Sequence, residues 1–531
     1  MRDDGRYPFG NPDGVKAEFD GHNTFVRLNE REFNTGISLT ETDRNIRIIV
    51  GKKGAGKTIY IRRLQDSARQ ENSVSSDIDE VVFASKIARD VPQTLSVIGF
   101  CQQFTMERVT EAWQSAWRIA ILRSVMSHLA YKKYFNQYIN QEILISKLRN
   151  LGELESGEEV ERSPYSELKN ILYQYRSEST FSKFAGSSKW DDIQTIIGTA
   201  LKACPPVFIY MDAVDDEFTH APMEWHRCQK GLFYAVLRLL GQSGAIGQRL
   251  HVVIAIRDIV YSSVMQSEHQ TRYIRTPYIS ILEWDYYSIT YFLKEKVKSI
   301  HPMYLDDRDD NSVESFLGLK AIENLDRKCL ENSIDYVIRH TRCLPRDVVQ
   351  MGNLIATEKL QYKIRNYPRD GWVYTIRNVV SQMAKTFAEE QLIICANQLA
   401  SHDAPAHSVK HDYADAYVSS KEQVAFRKDT FKNYIKGLGC EKLSIDDLIK
   451  ADNLFKSPAK MDIDLSTILW QNGLIGFKRR KSDEKFEFYS MSRNSDFIMP
   501  DYGEEYALHS IMLDAFPKLR VEFPNPVVER M

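Results

Sequence analysis

The stretch IRIIVGKKGAGKTIYIRRL, residues 46–64, decides how the rest of the chain is read. Ile46, Ile48, Ile49 and Val50 form a short apolar run of strand length, and the residues from Lys57 onward are helix formers with Ile61 and Leu64 on one face. Between them, Gly51, Gly56, Lys57 and Thr58 fit the spacing G-x-x-x-x-G-K-[ST]. Each position has a physical reason. The glycines, Gly51, Gly54 and Gly56, let backbone N–H groups curl around phosphate oxygens, Lys57 brings a positive charge to those oxygens, and the Thr58 hydroxyl can ligate Mg²⁺. With Ile59 these residues make up the expected nucleotide-binding set. Strand, loop and helix in that order place an anion at a helix N-terminus. A surface turn rich in Gly and Lys shares the letters but has no need of the flanking strand and helix.

The full chain has 531 residues, 43% hydrophobic and 27% charged, which is ordinary globular usage. A chain of that length suggests about two to four domains. The formal net charge of -2 exerts no global pull toward nucleic acid or membrane, so binding to either has to be local. The 7 cysteines are scattered with no C-x-x-C pair, the pattern of reduced thiols in a cytosolic protein rather than of a disulfide framework or zinc site. The first residues, MRDDGRYPFGNPDG, are polar and turn-rich, unlike a signal peptide, and no apolar run is long enough to cross a bilayer. A cytoplasmic protein without a membrane partner is therefore expected.

Residues 1–45 read as a flank and 46–285 as an α/β core. Apolar strand candidates at 79–87 (DEVVFASKI), 207–212 (VFIYMD), 251–258 (HVVIAIRD) and 278–284 (YISILEW) alternate with helical segments, which argues for a doubly wound parallel sheet buried on both faces. The segment 105–129 is strongly helical, and its stripe Val109, Trp113, Trp117, Ile121 reads as packing. A helical insertion is expected near 130–200, with a solvated acidic loop at 152–161, and a helical lid over 286–385. Residues 386–531 read as a helical linker followed by LSTILWQNGLIGFKRRKSDEKFEFYS (465–490), whose helix, glycine turn and two strands have the pattern of a winged helix. Its basic tip, Lys478, Arg479, Arg480 and Lys481, is followed at once by Asp483 and Glu484, so a DNA contact and a solvated hairpin stand as alternatives. His402, His407 and His411 lie in a polar, proline-containing stretch and read as surface rather than metal ligands.

Hydrolysis of a triphosphate needs a carboxylate to hold the metal and a group to orient water. Asp212, at the carboxyl end of an apolar strand, is the candidate to share the metal with Thr58, a helix cap being the plainer role for such a residue. Asp216, with Asp215 behind it, is the candidate to activate water. Arg257 ends another apolar strand, from which it can point at a γ-phosphate or pair with Asp258 or the Asp215 cluster. Arg272 and Arg275 read either as loop residues or as arginine fingers for a neighbouring subunit. Pro345 and Arg346 open a helix in the lid, from which the arginine can sense nucleotide.

Taken in order, GKKGAGKT, VFIYMDAVDDEF, VVIAIRD and RCLPRD, followed by the C-terminal hairpin segment, resemble bacterial P-loop ATPases of the AAA+/STAND branch, near the origin-recognition-type initiators. The first two motifs are specific and the others are short. The resemblance implies an ATP-driven switch: an α/β nucleotide domain using ATP and Mg²⁺, a lid carrying Pro345 and Arg346, and a winged helix. Relatives of the STAND type commonly place an arginine at the position of Arg257 and end the metal-binding strand D-x-x-D-[DE], which Asp212, Asp215 and Asp216 match. Ala213 stands where a glutamate is common. Many such proteins act in signalling or in defence against phage beside a separate effector. This chain has no recognisable nuclease, protease or TIR-like segment, so a protein effector on another polypeptide, or a self-oligomer, is the expected partner. A DNA-binding initiator or loader ATPase is the second function the resemblance implies. On this reading Asp216→Ala should keep ATP binding and stop turnover in a phosphate-release assay, whereas full turnover in the variant would move the role to Asp215 or elsewhere.

Overall fold

A computed structural model describes residues 7–13, 46–70, 74–75, 99–105, 108–154, 162–175, 177–212, 222–265, 277–307, 309–324, 329–365, 369–402, 413–439, 442–456, 463–480, 486–489, 499 and 506–517. The strand expected at 79–87, the carboxylates Asp215 and Asp216, and Arg272, Arg275, His407, His411 and Lys481 lie outside them, as do the side chains of His402, Lys478, Arg479 and Arg480.

Strand β1 (Ile48–Gly51) leads across the glycine loop to helix α1 (Lys57–Gln70) and the two-residue strand β2 (Val74–Ser75). Helices α2 (Val109–Tyr131), α3 (Gln141–Asn150), α4 (Pro164–Gln174), α5 (Glu178–Ala185) and α6 (Ser188–Ala203) follow. The chain then returns through β3 (Val207–Met211), α7 (Pro222–Leu240), α8 (Ala245–Arg249), β4 (Leu250–Arg257), α9 (Asp258–Met265) and β5 (Ile279–Leu282). The strands form one five-stranded sheet in the order β2-β3-β4-β1-β5, with every pairing parallel.

The near-continuous apolar character of these strands follows from burial on both faces. Because successive side chains alternate across a sheet, Ile48, Val50, Ile209, Met211, Val252, Ile254 and Ile256 join one apolar cluster with α2, α4 and α7. Ile49, Tyr210, Val253, Ala255 and Leu282 face the other way, into a cluster with Tyr60 and Ile61 of α1 and the C-terminal half of the chain. The helical insertion begins its helices cleanly. Asn140, Ser163, Ser177 and Ser187 each accept a hydrogen bond from a first-turn N–H of α3, α4, α5 and α6, a cap that contributes about 1 kcal/mol each.

The aromatic stripe of α2 is packing. Trp113 and Trp117 are fully buried, and Trp117 Nε1 donates to the Cys228 carbonyl of α7 at 3.0 Å.

Beyond the sheet come α10 (Tyr286–Ser299), α11 (Val313–Leu317), a hairpin of β6 (Ala321–Asn324) and β7 (Cys329–Asn332), then α12 (Ser333–Arg339), α13 (Pro345–Arg365) and α14 (Arg369–His402). The hairpin interrupts a segment whose sequence reads as helical throughout. Helix α14, 34 residues long, runs straight through the expected division at residue 385. The remainder comprises α15 (Tyr413–Leu438), β8 (Lys442–Leu443), α16 (Ile445–Lys456), α17 (Leu465–Gln471), β9 (Ile475–Arg480), β10 (Phe486–Tyr489), β11 (Tyr506–Leu508) and α18 (Ser510–Ala515). Its strands form an antiparallel sheet in the order β10-β9-β11-β8.

The N-terminal residues 7–13 strap onto this half. Phe9 is buried against Phe316 and Gly352, its N–H donates to Asn353 Oδ1 at 2.7 Å, and Asn353 Nδ2 donates to the Gly10 carbonyl at 3.0 Å. Among the described residues no helix is long and apolar enough to cross a membrane. Cys101, Cys204, Cys228, Cys343 and Cys395 are unbridged thiols.

Close approach of α7 to α2 depends on Gly231, where an added Cβ would stand 2.4 Å from Trp113 Cβ and 2.9 Å from the backbone of α2. Backbone cannot swing aside as a flexible side chain can, so Gly231→Ala should cost about 1–3 kcal/mol, read as a lowered midpoint in thermal or urea denaturation.

Candidate functional site

Strand β4 lies between β1 and β3, so three neighbouring strands deliver their carboxyl-terminal residues to one edge of the sheet. Gly51 pairs with Arg257, and Met211 pairs with Ile254, which leaves Asp212 one residue further along β3. The glycine loop and Asp212 are thus separated by two strand spacings, about 10 Å, with Arg257 on the strand between them. This is the crevice where open parallel sheets bind ligands.

The loop is shaped by its glycines. Gly54 and Gly56 have φ of 93° and 98°, in the left-handed region where a side chain is strained. Ala55, fully buried, donates its N–H to the Lys52 carbonyl at 3.1 Å, closing a tight turn before α1 starts at Lys57. From there the first-turn N–H groups of α1, those of Lys57, Thr58 and Ile59 among them, point out of the helix end without intrahelical acceptors. No acidic residue lies in that turn to offset the positive end of the helix dipole. Lys57 Nζ bends back over the loop, donating to the carbonyls of Gly51 at 2.7 Å and Lys52 at 3.0 Å.

Two elements hold the loop from outside. Trp284, buried just past β5, donates its indole N–H to the Ala55 carbonyl at 3.0 Å. Arg346, in the first turn of α13, donates its backbone N–H to the Gly54 carbonyl at 3.3 Å, and its side-chain carbons lie against Gly54. The helix begins there because Pro345 is preset for a first helical position.

Asp212 is 4% exposed, and its carbonyl accepts a hydrogen bond from Tyr165 Oη of α4 at 3.0 Å, which ties the helical insertion to the end of β3. Arg257 is also buried. Its guanidinium stands 5.8 Å from the centre of the Trp225 ring of α7, a cation–π distance, and its backbone N–H reaches Gln229 Oε1 at 3.3 Å. Further charges surround the loop. Burial lowers the pKa of Lys52 while the attraction of Asp258 opposes it, and burial raises that of Glu283 while Lys52 opposes it.

The donor set fits a phosphate with a hard cation. Backbone N–H groups and Lys57 suit phosphate oxygens, and the Thr58 hydroxyl and Asp212 carboxylate are the oxygen ligands Mg²⁺ takes one or two at a time while keeping water. Of the residues singled out in the sequence, Gly51, Gly54, Gly56, Lys57, Thr58, Ile59, Asp212, Arg257 and Arg346 are all at this end of the sheet or against its loop. Trp284 and the backbone of Arg346 escape sequence reasoning as loop supports. The only signal for Trp284 is its place directly after an apolar strand. Comparison with family models, curated proteins and solved structures finds no match for this chain.

An alanine at Gly54 would carry a strained φ and put its Cβ 2.9 Å from Arg346 Cβ. Gly54→Ala should therefore cost about 1–2 kcal/mol in stability and loosen the start of α13. Faster hydrogen exchange at the Arg346 amide, with a lowered melting point, is the expected result.

Proposed function

We propose that the chain is a P-loop ATPase whose nucleotide state regulates a partner protein. The observation that carries this reading is the loop itself. A buried parallel strand, two left-handed glycines, and a helix whose first turn holds Lys57 and Thr58 make a phosphate cradle, with the lid helix starting against it. In this reading Gly51, Gly54, Gly56, Lys57, Thr58 and Ile59 hold the triphosphate. Mg²⁺, bound by Thr58 and Asp212, would neutralise charge on the phosphate oxygens. Lys57 exchanges its two carbonyl partners for phosphate oxygens, a stronger, charge-assisted contact. Arg257, on the strand between loop and Asp212, leaves Trp225 for the terminal phosphate, and Arg346 contacts the nucleotide from the lid. Asp216 or Asp215 orients the attacking water.

The C-terminal unit, in this reading, is a winged helix that passes the nucleotide state to a protein effector or a second copy. DNA binding through Lys478, Arg479, Arg480 and Lys481 is the second reading, and it is favoured by the antiparallel β9–β10 hairpin that carries the first three of these residues. Helix α17 weighs against it, because 6 of its 7 residues are buried, which leaves it little surface to lay in a groove. A setting in the bacterial cytoplasm and in phage defence follows from the resemblance of the motifs and from the scattered cysteines.

The test is equilibrium binding and hydrolysis of MgATP by the purified chain and by Lys57→Ala, with and without duplex DNA. Loss of binding by two orders of magnitude or so in a folded Lys57→Ala is expected, from removing a charged contact of about 3 kcal/mol. Equal affinity in the two proteins would sink the reading. Stimulation by DNA would move the function to the initiator class.

A further inference from the structure

Cys343, with φ 55°, is the one described non-glycine residue in the left-handed region, and it sits between the two ends of a short clamp. Arg342 donates from its backbone N–H and from Nε to Asp347 Oδ2, both at 2.9 Å, and from Nη2 to Asp347 Oδ1 at 2.7 Å. The clamp closes residues 342–347 into a rigid turn, and Arg346, the residue seated on Gly54, lies inside it.

The guanidinium of Arg342 does not end there. It stacks over Phe387 at 5.1 Å and donates to Glu390 at 3.1 Å and Gln391 at 3.2 Å, all on α14. Gln391 Nε2 donates to Asn472 Oδ1 at 2.9 Å, Asn472 Nδ2 donates to Gln398 Oε1 at 2.6 Å, and Gln398 Nε2 donates to Gln471 Oε1. Asn472 caps α17 and precedes Gly473, whose φ of 71° turns the chain into β9. Asp347, Gln391, Gln398, Gln471 and Asn472 are all buried within the apolar cluster formed by Phe387, Leu392, Cys395 and Leu399.

A file of amides through an apolar core is a poor way to gain stability and a good way to hold one arrangement, because every member left unpaired is penalised. We propose that this file regulates the nucleotide site: the seating of Arg346 on the phosphate loop and the set of the turn from α17 into β9 are two ends of one hydrogen-bonded unit, with Arg342 as the positioning residue between them. The proposal rests on the P-loop reading above. A nucleotide that draws Arg346 away from Gly54 must turn Asp347 and Arg342, and Gln391 then has to choose between Arg342 and Asn472. Coupling of this kind is reciprocal, so a partner that shifts the β9 turn changes nucleotide affinity by the same factor.

Gln391→Met, close in volume, removes both links of Gln391 while leaving the Arg342–Asp347 clamp and the loop untouched, and Asn472→Ser, should the first variant fold poorly, breaks the file at its far end by removing the links of Asn472 to Gln391 and Gln398. The measurement is hydrogen exchange of the amides of residues 472–477 with and without MgATP, alongside direct MgATP binding to the same samples. In the wild type, MgATP should change those rates by roughly tenfold, the scale of typical coupling between sites. In the variants MgATP should bind within about threefold of wild type while the response at 472–477 disappears. A full response in a folded variant overturns the relay, and so does a wild type that binds MgATP without any response there. A wild type that binds no MgATP fails earlier, at the P-loop reading, and the binding arm distinguishes the two failures.

Discussion

The rest of the molecule depends on one constraint, that the parallel sheet is covered on both faces. A central strand such as β1 can then carry nothing but apolar side chains along its length, and polar groups are driven to the strand ends. At the carboxyl end the strands stop at Gly51, Met211 and Arg257, Asp212 follows β3 directly, and α1 and α9 begin just past β1 and β4. The site is the place where a buried sheet is permitted to be polar. There the start of α1, with no acidic residue in its first turn, adds the positive end of a helix dipole to the charge of Lys57.

The C-terminal half is built on the same rule but uses a different material. Where the sheet meets the C-terminal half, the apolar cluster is continuous from Ile49 and Leu282 through Phe387 to Trp470 and Met512. A continuous core of this kind would allow many ways to slide one half against the other. Polar contacts at its edges remove that freedom: Trp284 on Ala55, Arg346 on Gly54 and the Arg342 clamp each have a single satisfied geometry. Apolar area supplies the cohesion, and buried hydrogen bonds select the arrangement.

How much of this is legible in the sequence differs by element. Periodicity and spacing are local properties, and they suffice for β1, α1, β3, β4, β5 and α2, whose apolar runs or stripes are long enough to be unambiguous. They also suffice to place Lys57, Thr58, Asp212 and Arg257 at strand or helix ends. The short strands β2, β8 and β11 carry two or three residues each and no periodic signal, and the β6–β7 hairpin is hidden because its residues, AIEN and CLEN, lack β-branched character apart from one isoleucine. Contacts between distant residues are least legible of all. Nothing near Arg342 announces that its guanidinium meets α14, and nothing near Trp284 announces Ala55, because both depend on the packing of elements far apart in the chain.

The strap of residues 7–13 illustrates what such distance means in time. Phe9 and Asn353 are 344 residues apart, so at typical rates of synthesis the phenylalanine has left the ribosome for roughly 20–70 s before its partners exist. During that interval an aromatic side chain destined for the core has no core to enter. The parallel sheet, complete by Leu282, can assemble first, and the strap is then a closing stitch that fastens only when α13 has been made. The docking of Phe9 therefore waits on a helix made more than 300 residues later.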